Sequence, residues 1–268
     1  MESESGKLSA RKIEDYLQEY AGSYHMHVYD TLTSTNTALK ALASQGAPAG
    51  TVIIADTQTA GRGRMGRSFS SPPGTGLYMS VLLRPDLSAE DMLLITPAAA
   101  VAAAEAIEAV SAGRAGIKWV NDIWIDGLKV CGILSEAAFK RDGISPEYAI
   151  LGIGINVYEP EGGFPEELAG IAGSLFGNAG QIPDIRNRLA AEILIRTGKY
   201  CTDIMNSGFI DKYRERSVLT GKIIYNPADN TLLGTVISID DRCRLIVRTD
   251  DGETRVISSG DISVRPLK

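Results

Sequence analysis

Gly61-Arg62-Gly63-Arg64-Met65-Gly66-Arg67 is the stretch on which the fold turns. Its glycines satisfy G-x-G-x-x-G, the dinucleotide fingerprint of a doubly wound parallel sheet. That fingerprint needs glycines that open an apolar helix packed on the sheet, with an acid about 20 residues on. Here the chain continues as Ser68-Phe69-Ser70-Ser71-Pro72-Pro73-Gly74, which cannot start a long helix. The segment some 20 residues past Gly61, Gly76–Arg84, is strand-like and carries no acid. What remains is three arginines in seven residues, spaced by glycine, in an acidic protein. Glycine lets backbone approach a ligand closely, and the arginine fork suits phosphate oxygens. A solvated basic loop is the alternative. The strand-like runs on either side, which can hold the loop's ends, favour anion binding.

On both sides of this loop the hydrophobic pattern alternates between helix and strand periods. Residues 9–21 predict a helix capped by Ser9, and 25–32 a strand. Ser34 or Thr35 caps a helix that Gly46 ends. Residues 51–56 and 76–84 are strands around the polar loop 59–75. Ser88 to Ser111 is Ala-rich and helical, and Pro97 demands either a start with Thr96 as cap and Pro97 at the first position, or a kink. Strands follow in Ile117–Val120, Ile123–Asp126 and Leu128–Phe139, with Asp126-Gly127 as a hairpin turn. Residues 149–158 are another strand and 183–216 helical. After Thr220 short strands separated by Asn-Pro, Asp-Asn, Asp-Asp and Asp-Gly predict a small β-barrel. The expected fold is α+β, with a mixed-sheet domain over residues 1–219 and a β-barrel domain over 220–268.

Composition narrows the chemistry. The 268 residues are 44% hydrophobic and 22% charged, with a net charge of −6, an ordinary globular balance that argues against coating nucleic acid or anionic lipid. Cys131, Cys201 and Cys243 stand far apart without a CxxC, so neither a disulfide framework nor a zinc ribbon is indicated. A reduced, cytoplasmic setting follows. The polar start lacks a secretory signal, and apolar runs such as Pro97–Ala104 are too short to span a bilayer. The only histidines, His25 and His27, sit near no nucleophile motif, and no P-loop occurs.

Three more constellations carry chemistry. Lys118-Trp119-Val120-Asn121-Asp122 precedes Leu128-Lys129-Val130-Cys131-Gly132-Ile133-Leu134. Lys129 interrupts an apolar strand, as an edge charge or as an active-site cation. Asp122 is a metal or ribose partner, or a turn residue. Ser34-Thr35-Asn36 is a plain helix cap or a ligand contact at a strand end. Gly152-Ile153-Gly154-Ile155-Asn156 signals close backbone approach, or strand-on-helix packing.

These segments, in this order, resemble the biotin–protein ligases (biotin–[acetyl-CoA-carboxylase] ligases). The resemblance runs from about residue 25 to the end and is carried most specifically by Gln58-Thr59-Ala60-Gly61-Arg62-Gly63-Arg64-Met65-Gly66-Arg67. It implies a biotin/lipoate-ligase mixed sheet followed by an SH3-like barrel. It further implies that ATP and biotin give biotinyl-5′-AMP, whose acyl group passes to a lysine of a biotin carboxyl carrier protein. By resemblance, Ser34, Thr35, Asn36 and Gln58 hold the biotin head, and Gly61 to Arg64 wrap the biotin carboxylate and adenylate phosphate. Lys129 with Arg62 and Arg64 is catalytic, and Gly132 leaves room for the biotin rings. Arg67, Phe69, Asn121, Asp122 and Asn156 serve the nucleotide, and Asp122 a magnesium ion. ATP with magnesium is co-substrate, and no tightly bound metal is expected.

Two positions depart from the family: Val120 stands where Pro is frequent, and Phe69 where Trp is frequent, keeping a π-face but losing an indole N–H. The 33 residues before Ser34 leave no room for the winged helix of bifunctional members, so the expectation is a monofunctional form without DNA or membrane partners. Homodimers are frequent in the family, so a homodimer is among the states allowed. The competing functions are a lipoate/octanoate–protein ligase-type acyl transferase and a non-catalytic biotin-binding sensor.

Overall fold

The computed structural model describes residues 6–258 and 265–266. Helix α1 (Ala10–Leu17) is capped by Ser9, whose side chain accepts from the Lys12 N–H. Strand β1 (His25–Leu32), helix α2 (Thr35–Ser44) and strand β2 (Thr51–Gln58) form a parallel β-α-β unit. Strand β3 (Gly76–Leu83) follows the arginine loop, and α3 (Ile95–Val110) follows it in turn. Strands β4 (Gly116–Lys118), β5 (Asp122–Ile125), β6 (Leu128–Phe139) and β7 (Pro146–Asn156) complete a seven-stranded sheet of order β1-β2-β3-β7-β6-β5-β4. Every pairing after β1–β2 is antiparallel. The sheet is therefore mixed, as the sequence predicts.

The period of two along the central strands feeds both faces. Val52 and Ile54 of β2, and Leu151 of β7, face a core shared with α1, α3 and α4 (Ile185–Cys201). Ile53, Leu82 and Ile150 face α2, packing on its Leu39 and Ala43. That fixes α2 against the sheet, with its N-terminus at the ends of β1 and β2.

Two expectations need correction. The segment 183–216 is not one helix: Gly208 in the left-handed region (φ 68°) separates α4 from α5 (Phe209–Glu215). Near Pro97 the chain takes neither option foreseen. A 3-10 turn over Asp91–Leu94, whose Asp91 N–H donates to Ser88 Oγ at 3.1 Å, runs directly into α3, so Pro97 falls in the first turn of the α-helix. There its missing N–H costs least. Asp91–Val110 is thus long and apolar enough to cross a membrane, unlike the shorter run read from sequence, and most of it is core.

A second, antiparallel sheet of order β11-β10-β9-β8-β12 follows: β8 (Ile223–Tyr225), β9 (Leu232–Ile239), β10 (Leu245–Arg248), β11 (Thr254–Ile257) and β12 (Arg265–Pro266). Its Ile224, Val236 and Leu245 join the same continuous core as the first sheet. The Trp119 indole N–H donates to the Cys243 carbonyl at 2.8 Å, and Arg214 Nε donates to the Ile239 carbonyl at 2.8 Å. All three cysteines are buried free thiols. Burial pushes the thiols of Cys201 and Cys243 up to about 12, and that of Cys131 higher still.

Candidate active site

The arginine stretch folds as a small hairpin rather than an open loop. The Phe69 N–H donates to the Gly61 carbonyl (2.9 Å) and the Gly63 N–H to the Arg67 carbonyl (2.7 Å). Arg64, Met65 and Gly66 form its tip, where Met65 (φ 54°) and Gly66 (φ 72°) are left-handed. Gly61 is obligatory at the base, because a Cβ there would lie 2.3 Å from the Phe69 carbonyl oxygen. The hairpin thus aims Arg62 and Arg64 over a cavity while Met65 and Arg67 stay exposed.

The cavity floor is built by α2, β2 and β3. Ser34 is the N-cap of α2 but makes no capping bond through its side chain, and with Thr35 and Asn36 it lines the cavity. A plain cap is therefore not its whole role. Gln58 Oε1 accepts from the Thr35 N–H (2.9 Å) and lies 3.2 Å from Thr35 Oγ1. Gln58 Nε2 donates to Ser71 Oγ (2.9 Å), and Ser71 donates to the Phe69 carbonyl (3.0 Å). Asn36 is buried, and a Cβ on Gly152 would lie 2.2 Å from Asn36 Oδ1. Close approach is thus the reason for that glycine.

Strand β6 supplies the opposite wall. Lys129 Nζ lies 2.7 Å from Asp122 Oδ1, outside hydrogen-bond alignment, so the contact is one of charge. Asn121 donates through Nδ2 to the Ile133 carbonyl (2.8 Å), which turns its Oδ1 to accept from Arg64 (3.2 Å). Burial draws the Arg64 guanidinium below its ordinary pKa. Asp122 and the Tyr213 hydroxyl beneath it oppose that shift, and Arg67 adds to it. An arginine guanidinium titrates far above neutral pH and stays charged through such a shift. Arg62 is bidentate on Glu136, at 3.0 and 3.1 Å.

The other expected residues divide into those at the cavity and those away from it. The Phe69 ring lines the cavity, meets Tyr78 edge-on (6.3 Å between centroids) and fills the space above Gly154 and Gly132. Gly132 makes room for this ring and for the Lys129 side chain, each 3.2 Å from where its Cβ would stand. Asn156 donates to the Gly173 carbonyl (3.0 Å) and does not line the cavity, nor do Gly61, Arg67 and Asp122. Asp122 stands behind Lys129, and among the described residues no three His, Cys, Asp or Glu side chains gather to hold a metal. Sequence reasoning assigned no role to Glu136, Ser80 or Ser71. A lone acid in β6 and a lone serine in the apolar run of β3 were the signals available.

No cysteine or histidine lines the cavity, and three cations converge at its mouth. Such a site needs no protein nucleophile and suits the joining of two anionic substrates. The arrangement is that of a ligase site. The signature of the Biotin/lipoate A/B protein ligase family matches residues 28–156, and that of the Biotin protein ligase C terminal domain residues 222–265. The bifunctional ligase/repressor BirA of Bacillus subtilis is 37% identical over 258 residues, 95% of this chain and 78% of its own. The biotin–[acetyl-CoA-carboxylase] ligase of Mycobacterium tuberculosis is 32% identical, with 95% of each chain covered. The biotin protein ligase of Aquifex aeolicus, solved with biotin and ATP, superposes with a TM-score of 0.73 at 25% identity, over 91% of this chain and 99% of its own. The chain belongs to the biotin/lipoate A/B protein ligase family, and within it to the biotin protein ligases.

Proposed function

We propose that the protein joins biotin to ATP as biotinyl-5′-AMP and then transfers the biotinyl group to a lysine of a biotin carboxyl carrier protein. The observation that carries this is the convergence of Arg62, Arg64 and Lys129 over a floor of hydrogen-bonding groups from Thr35 and Gln58. A biotin carboxylate oxygen attacks the α-phosphorus of ATP, and pyrophosphate leaves. Two anions must meet for this, and their repulsion falls when fixed cations surround the point of contact. The ε-amine of the acceptor lysine then attacks the acyl carbon, and AMP leaves with the bonding electrons. Lys129 and Arg62 share with Arg64 the charge on the transferring oxygens, and Arg64 in addition retains the adenylate through its phosphate. The neutral floor holds the biotin head.

Magnesium enters as the complex of ATP, held mainly by phosphate oxygens, as is usual for that ion. Asp122, a single carboxylate already beside Lys129, offers it no protein cage. With the chain divided at residues 219 and 220, every group of this chemistry falls in the first domain, which the Trp119 indole ties to the Cys243 carbonyl of the second.

The test is isotope exchange between pyrophosphate and ATP with biotin, lipoate or octanoate as the acid. Exchange that requires biotin supports this function. Exchange with lipoate or octanoate alone makes the protein a transferase of that second class, and binding of biotin without exchange makes it a sensor.

A further inference from the structure

The cavity floor is one continuous hydrogen-bonded chain, and both of its ends are anchored by groups that only accept. At one end the Phe69 carbonyl receives the Ser71 hydroxyl, so Ser71 must accept from Gln58 Nε2, and Gln58 Oε1 is turned to Thr35. At the other end the Glu136 carboxylate receives Asn36 Nδ2 at 2.8 Å, so Asn36 Oδ1 must be the acceptor for Ser80 Oγ, 2.6 Å away. Ser80 has one proton and spends it there. Its remaining close contact, 2.7 Å to Thr35 Oγ1, therefore takes the Thr35 proton. Thr35 has one proton for two neighbours, and Ser80 at 2.7 Å takes it in preference to Gln58 Oε1 at 3.2 Å, so Thr35 is left with lone pairs alone and Gln58 Oε1 receives the Thr35 N–H.

We propose that Glu136 is a positioning residue that sets the hydrogen-bond polarity of the head-group pocket, so that Thr35 and Gln58 present acceptors and select a ligand head with N–H donors, such as a cyclic urea. This rests on the function proposed above. It also accounts for a carboxylate in a site built to hold anions. Glu136 half-cancels Arg62, an apparent loss, but its Oε2 fixes the orientation of Asn36. Without an acceptor at position 136, Asn36 is free to turn its amide. Nδ2 then donates to Ser80, Ser80 to Thr35 and Thr35 to Gln58, and the acceptors offered to the ligand are consumed. The Leu134 carbonyl, 3.5 Å from Asn36 Nδ2, opposes this turn only at the edge of hydrogen-bond range.

Calorimetric titration of wild type, Glu136→Leu, Glu136→Gln and Ser80→Ala with biotin, dethiobiotin and MgATP, each alone, tests it. Glu136→Leu should weaken biotin and dethiobiotin, which share the cyclic urea, by the same factor of about tenfold, the worth of one to two hydrogen bonds. MgATP should bind no more weakly, because Arg62 is released from its carboxylate. Glu136→Gln should stay within about threefold of wild type for biotin, since its amide oxygen still accepts from Asn36. Ser80→Ala removes one buried hydroxyl, frees the Thr35 proton for Gln58, and should weaken biotin while sparing MgATP; it carries the test if Glu136→Leu does not fold. Unchanged biotin affinity in Glu136→Leu or Ser80→Ala overturns the proposal, as does parallel weakening of biotin and MgATP. A wild type that binds no biotin overturns the function itself, and this proposal with it.

Discussion

Lys129 stands 2.7 Å from Asp122 on a strand that is otherwise apolar, at the wall of the cavity. An edge charge that only blocks aggregation would point to solvent, whereas this ammonium is mostly buried beside a carboxylate. Lys129→Ala should lower the rate of biotin-dependent pyrophosphate release by on the order of 10²-fold or more, the cost of one preorganised charge contact. The melting temperature should fall only slightly, because Asp122 keeps partial access to water. An unchanged release rate would return Lys129 to the edge-charge role. Arg64 has a different task, since Asn121 holds it at the hairpin tip. Biotinyl-AMP keeps one phosphate charge, and losing a charge-assisted hydrogen bond of ~1.5–3 kcal/mol speeds escape roughly ten- to hundred-fold. Arg64→Gly should therefore leave adenylation working through Arg62 and Lys129 and release the adenylate to acylate exposed amines. A streptavidin blot of enzyme, ATP, biotin and albumin should show labelled albumin with the variant only. A blank albumin lane with adenylate synthesis intact would show that Arg64 does not retain the intermediate.

At the scale of elements, the arginine hairpin has a fixed base and an exposed tip. Gly61 and Phe69 are hydrogen-bonded at the base, and Gly74 is tied to Asp56, itself paired with the buried Arg186. Between these anchors Met65, Gly66 and Arg67 face solvent, and Met65 is 71% exposed. Binding of an anion would draw Arg62 and Arg64 onto it and close the hairpin over the cavity, excluding water from the reactive anhydride. Tryptic cleavage after Arg64 and Arg67 should slow when biotin and MgATP are added together. Equal cleavage rates with and without ligands would remove the lid role. The hairpin was legible only in part from the sequence: Gly and Arg spacing indicated an anion loop, but the pairing of Gly61 with Phe69 depends on backbone geometry that no side-chain pattern encodes.

For the whole molecule, the two sheets share one core, and polar contacts cross between them. The Trp119 indole bond to Cys243 ties the segment just before Asn121 and Asp122 to the C-terminal sheet. Trp119→Phe leaves the ring volume nearly filled but strands a buried carbonyl, which costs roughly 1–3 kcal/mol. Urea unfolding should move to a lower midpoint with an unchanged slope, and with one transition, because a shared core unfolds together. Two separated transitions would show that the sheets are independent.

Local pattern was enough to determine the alternation of helices and strands apart from the break between α4 and α5, the mixed sheet, the all-β C-terminal segment and the cationic segments. Periods of two and 3.6 and the turn residues act over a few positions, and they leave their mark in the chain itself. Only the tertiary structure decided which polar groups meet. Glu136, Ser80 and Ser71 are ordinary strand and loop residues in sequence, yet β6, β3 and the arginine hairpin bring them into one hydrogen-bonded chain with Asn36, Thr35 and Gln58. Asn156 turns to the Gly173 carbonyl, away from the cavity lining, for the same reason. A side chain's partner is set by strand register and by the glycines that let elements approach, and those follow from packing summed over the whole core.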